Sequence, residues 1–152
     1  METILNSKTK MQIIKRIAKL SENNERLWGK MTCGEMICHC TDQIKMALGE
    51  INCKTIMPAF IGKIMFFLIM AGMPTPKGKV ETAPELKQGV GGTKPNSFNK
   101  DLDLLKNYVN DFDKLYLTGI KNPHPAFGKL SKNEWGKLIY SHLNHHLSQF
   151  GV

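Results

Sequence analysis

Apolar and polar positions alternate with helical rather than strand spacing over most of the chain. From about Lys8 to Ser21, Ile13, Ile14, Ile17 and Leu20 share one side while Lys15, Arg16 and Lys19 take the other, which predicts an amphipathic helix with a solvated basic face. A second helix is predicted from Thr32, paired with Glu35 as a capping box, to about Glu50. At ~100° per residue, its buried stripe is Cys33, Met36, Ile37, Cys40, Ile44, Ala47 and Leu48, with His39 on the flank beside Gln43.

Residues Ile56 to Met73 are the most apolar stretch, yet Pro58, Gly62 and Lys63 interrupt it and Pro74 closes it. The unbroken run falls short of the ~20 residues a bilayer span needs. Ala59 to Ala71 is therefore expected to be a short extra helix that is buried, interfacial or packed on a second subunit, with contact at a membrane surface as a further alternative. Gly72 to Asn96 gathers Pro74, Pro76, Pro84, Pro95 and several glycines, so a long mobile loop without regular structure is expected there. Ser97 is placed to cap a third long helix, in which Phe98, Leu102, Leu105, Val109, Phe112 and Tyr116 form one seam. After a loop through Gly119, Pro123, His124 and Pro125, a second capping box, Ser131 with Glu134, opens a last helix running almost to Val152. No strand pattern and no internal repeat competes. The expected fold is all-α, a single domain over residues 1–152: an antiparallel four-helix bundle with an extra short helix and a long loop between helices two and three.

Charge and cysteine content narrow the functional classes. The chain carries a formal charge of +8, but its lysines are dispersed and no basic-and-aromatic interleaving occurs, so nucleic-acid binding is not expected. Met1 to Lys10 is polar and the following helix is broken by cations, unlike a signal peptide, so a cytoplasmic location is expected. Cys33, Cys38, Cys40 and Cys53 lack the paired spacing of a structural zinc site and are expected to be reduced thiols, with Cys33 and Cys40 in the core.

The chemistry concentrates in the last helix. Trp135, Leu138, Ile139 and Phe150 mark its buried face, and His142 and His146 lie at the centre of that face. Side chains at i and i+4 can converge on one ion, and two inward imidazoles without partners would each cost about 1–3 kcal/mol. His39 is the third ligand candidate, on a facing helix. His145 and Gln149 flank the pair, and Asp42 and Glu35 lie one turn either side of His39, with Glu35 claimed by its cap. From spacing alone a metal site and hydrogen-bonded core histidines both stand. His124, in its proline-flanked loop, is a candidate acid or substrate contact, with turn geometry as the alternative. No inward carboxylate stands out as a general base.

His142-Leu-Asn-His145-His146-Leu-Ser-Gln149 resembles the HxxxHHxxQ ending of the DinB-like superfamily of four-helix-bundle metalloenzymes, and Trp28-Gly29-Lys30-Met31-Thr32 with Met36 and His39 resembles the start of its second helix. His124-Pro125-Ala126-Phe127-Gly128-Lys129-Leu130, Glu134-Trp135-Gly136 and Gln149-Phe150-Gly151 are similar to one of its subfamilies, domain of unknown function 1569. The resemblance covers most of the chain and is weakest across Asn52 to Asn96. It implies a divalent-metal site at His39, His142 and His146, zinc or nickel being the first expectation, together with homodimerisation and a small-molecule substrate, a low-molecular-weight thiol among the candidates. The implied activities are thiol-dependent transfer or hydrolysis. Many members carry Arg-Gly where this chain has Leu147-Ser148, a departure that bears on any thiol held by that arginine. The competing class is a non-catalytic dimeric binding or stress-response module with structural histidines.

Overall fold

The computed structural model describes residues 2–71, 73 and 82–152. It is all-helical, with five α-helices and no strand among the described residues: α1 Ser7–Ile17, α2 Cys33–Ala47, α3 Ala59–Met70, α4 Phe98–Thr118 and α5 Lys132–Gln149. No helix among those residues is long and apolar enough to cross a membrane.

Both predicted capping boxes form. Thr32 Oγ1 accepts from the Glu35 amide and Glu35 answers at the Thr32 amide; Ser131 and Glu134 repeat this at the start of α5. α1 has a cap that the periodicity did not show, Asn6, whose side chain accepts from the Thr9 amide. It also stops short of Ser21, because the Lys19 and Leu20 amides turn back to the carbonyls of Arg16 and Ile17. Leu20 nevertheless stays buried. Ser97 precedes α4 without a side-chain cap. Asp101 does the work instead, its carboxylate accepting from the amides of Asn96 and Ser97.

α1 and α2 each pack against both α4 and α5. The core they enclose is built from Ile13 and Ile17 of α1, Met36, Ile37 and Ile44 of α2, Leu105, Val109 and Phe112 of α4, and Trp135, Ile139 and Leu143 of α5. Two residues near the N-terminus behave differently from the expected polar lead-in and solvated face. Ile4 is fully buried, and Arg16 turns off the basic face to donate to Asn144 Oδ1, Ser148 Oγ and the Val152 carbonyl, tying α1 to the end of α5.

The described part of the segment from Gly72 to Asn96 is turn and irregular backbone apart from one short turn of helix. Gly72 and residues 74–81, including the expected stop at Pro74, lie outside the described residues. Beyond them Pro84–Leu86 makes one turn of 3-10 helix, with proline in its first positions and Leu86 buried.

Candidate metal centre

Three imidazoles from two helices meet inside the fold. α2 supplies His39, which is 5% exposed, and α5 supplies His146, 8% exposed, with the half-buried His142 one turn earlier. Their ring centroids are separated by 4.9 Å (His39 to His142), 5.0 Å (His39 to His146) and 4.5 Å (His142 to His146). One nitrogen from each lies within 4.8 Å of the others, and the Nε2 atoms of His39 and His142 are 3.0 Å apart. Two nitrogens about 2.0–2.1 Å from a common tetrahedral ion are about 3.3 Å apart, so this spacing suits a shared cation.

Tautomers follow from the partners. The Leu86 carbonyl can only accept, so at 3.2 Å His39 Nδ1 carries the proton and Nε2 keeps its lone pair. Gln149 is fixed the same way: its Nε2 amide donates to the Trp28 carbonyl at 2.6 Å. Its Oε1 therefore faces His146 Nδ1 at 2.9 Å as an acceptor, leaving His146 Nε2 as the electron-pair donor. Such outer hydrogen bonds are what orient metal-binding imidazoles. His142 Nδ1 is buried with no hydrogen-bond partner among the described residues.

A family model with the description "Protein of unknown function (DUF1569)" matches residues 3–151. The chain belongs to the DUF1569 family. No curated protein and no solved structure matches it.

Electrostatics keep the DUF1569 cluster in the form that can bind a cation. Burial lowers the pKa of His39, opposed by its bond to Leu86 and by the charge of Asp42. Burial and then the neighbouring histidines lower that of His142 well below 6.5. His146 falls to about 3, again chiefly through burial. All three rings are thus neutral at pH 7, and a neutral imidazole is the ligand form.

The remaining candidates of the DUF1569 chain divide. Gln149 is 3% exposed and holds His146 directly. His145 is half-buried, edge-on to both Trp28 and His146, beside the cluster rather than in it. Asp42, fully buried, does not hold a ring: its carboxylate accepts from the Thr93 amide at 2.8 Å and the Thr93 hydroxyl at 2.6 Å. It therefore pins the loop that precedes α4. His124 serves its own turn. Its Nδ1 accepts from the amides of Ala126 and Phe127, its ring stacks on Phe127 at 4.3 Å, and it exchanges backbone hydrogen bonds with Gly128.

Three contributors have no side-chain signal in the sequence: the carbonyls of Leu86 and Trp28, and Gly29. Gly29 has φ +82°, and a Cβ there would overlap the Gln149 amide, so glycine both permits the turn and lets Gln149 approach. Gln43, one turn after His39, is 5% exposed with Oε1 unpartnered among the described residues. A hollow of about 350 Å³ lined by Gln12, Lys15, Arg16, Lys19 and Tyr140 lies on the α1–α5 surface and includes none of these histidines; the chemistry argues for the cluster over that hollow.

Proposed function

We propose that this chain is a metal-dependent enzyme of the DinB-like type, a four-helix bundle in which His39, His142 and His146 hold a divalent ion, zinc or nickel first. The observation that carries the reading is the convergence of three neutral ring nitrogens within 4.8 Å, two of them with tautomers set by Leu86 and Gln149. An ion there would act as a Lewis acid, bringing the pKa of a water or low-molecular-weight thiol toward neutrality and so supporting hydrolysis or thiol-dependent transfer. The chain's own part is to orient the rings and keep them unprotonated by burial. His145 is the candidate for substrate contact because it is the half-buried histidine beside the cluster. Homodimerisation belongs to the same resemblance and is read by light scattering.

A second reading, a non-catalytic module with structural histidines, is favoured by one observation: at 3.0 Å, His142 Nε2 could donate a proton to His39 Nε2 without any ion. His142 Nδ1 is buried without a partner among the described residues under either reading, so it does not separate them. Elemental analysis of protein purified without a metal-affinity tag, beside a His142→Ala/His146→Ala variant, separates the two. About one ion per chain, absent from the variant, is expected from a three-ligand site. No ion after reconstitution with several divalent metals would leave the structural reading standing.

A further inference from the structure

We propose that the outer face of α3 seats the protein on an anionic lipid surface. Phe60 is 75% exposed and Phe67 70%, with Ile61, Ile64 and Leu68 exposed beside them. At ~100° per residue these five share one side of the helix, so they form one apolar patch rather than scattered residues, and such patches mark interaction sites.

The helix cannot roll this patch inward, because its other side is already used. Gly62 is buried against the Ala126 carbonyl, where a Cβ would overlap the oxygen, and Phe66 packs on Phe127 with ring centroids 5.5 Å apart. The His124 turn, which positions Ala126 and Phe127 through their amides, thereby holds α3 with its apolar face outward.

Charge chooses the occupant. No aspartate or glutamate occurs between Glu50 and Glu81. Lys63, the single charged residue of α3, lies by the helix repeat on the flank of the patch and is exposed, and Lys54 before the helix and Lys129 on the supporting turn are exposed as well. The acids near these lysines are Glu134, whose pKa Lys63 helps to lower, and Glu85, which accepts from the Lys54 amide and feels the Lys54 charge; neither lies on α3 itself. Two copies meeting through α3 would oppose these lysines on chains that each carry +8, whereas anionic headgroups complement them, each lysine near such a surface being worth about fivefold in partition. At 12 residues, about 18 Å, α3 is too short to span a bilayer and suited to lying in its interface.

Vesicle flotation of the full chain tests this, using phosphatidylcholine alone and phosphatidylcholine with added phosphatidylserine. Binding is expected to be at least about tenfold stronger to the anionic vesicles and to weaken in high salt. The Phe60→Ser/Phe67→Ser variant keeps every charge and should lose about tenfold or more with an unchanged circular dichroism spectrum. In Phe67→Trp, brominated acyl chains should quench the added fluorescence. Equal binding by the serine variant would mean adsorption through net charge alone and overturns the proposal. So does absence of quenching, and so does a concentration-dependent dimer, lost in the serine variant, without vesicle binding.

Discussion

Gln149 holds His146 and is itself held: its Oε1 accepts from His146 Nδ1 at 2.9 Å while its Nε2 donates to the Trp28 carbonyl at 2.6 Å. The amide has no freedom to flip, because the Trp28 oxygen cannot donate. One buried side chain thus converts the position of a backbone carbonyl before α2 into the tautomer of a ring on α5.

Replacing Gln149 by leucine should weaken metal binding by about 10- to 100-fold, the usual effect of losing a partner behind a ligating imidazole. The swap keeps the volume and the apolar contacts but removes the acceptor behind His146 Nδ1 and the amide that donates to the Trp28 carbonyl. Competition with a chromophoric chelator reads the affinity directly. Unchanged affinity in a folded Gln149→Leu variant would show that His146 needs no orienting group.

If the three histidines share an ion, the ion should stabilise the fold. Free metal at a hundred times its dissociation constant contributes about 2.7 kcal/mol, a rise in melting temperature of about 5–10 °C for a chain of this size. His39→Ala should abolish that rise. The comparison must be made on the increment, since truncating a buried ring lowers the baseline too. An equal rise in both proteins would place the ion elsewhere.

Much of this centre was legible because its signals are local. Two histidines four residues apart on an apolar face, and Thr32 with Glu35 or Ser131 with Glu134 at three-residue spacing, depend on the helix repeat alone, and the repeat is written in the sequence. His39 could be nominated because its own helix was legible, although its burial at 5% comes from α5 and Leu86 closing over it. The Leu86 and Trp28 carbonyls could not be found that way, since every residue has one and only the tertiary path selects these two. Arg16 misled for the opposite reason: its helical position is polar, but its long side chain reaches back to α5. Helical proximity to His39 makes Asp42 a candidate to orient a ligand, and no helix repeat could show that its carboxylate accepts from the loop residue Thr93, fifty-one positions away.

Asp42 consequently offers a control. Asp42→Ala removes two acceptors for Thr93 and should destabilise the fold by about 1–3 kcal/mol while metal stoichiometry stays that of the wild type. Urea unfolding and elemental analysis on one preparation read both. Loss of the ion with little change in stability would instead give Asp42 a role at the rings.

His124 should be visible in the pH dependence of stability. Burial lowers its pKa from 6.5 to about 4. Its Nδ1 also accepts two backbone amides, so a proton there would break both bonds. The folded pKa lies below the unfolded one, so between them the unfolded chain binds a proton that the folded chain refuses, and stability from this group is lost as pH falls from 6.5 towards 4 and is constant above. One such group contributes a slope of at most about 1.4 kcal/mol per pH unit. His146, lowered to about 3, acts in the same direction and extends the loss to lower pH, so the wild-type slope is composite. His124→Asn isolates the turn: its side-chain oxygen can still accept from the Ala126 amide but does not titrate. Metal-free urea unfolding at intervals from pH 4 to 7 should give a shallower slope for the variant, with the difference confined to the window below 6.5. Parallel curves would mean that His124 takes up its proton as readily in the folded turn as in the unfolded chain, which two amides aimed at one nitrogen do not allow.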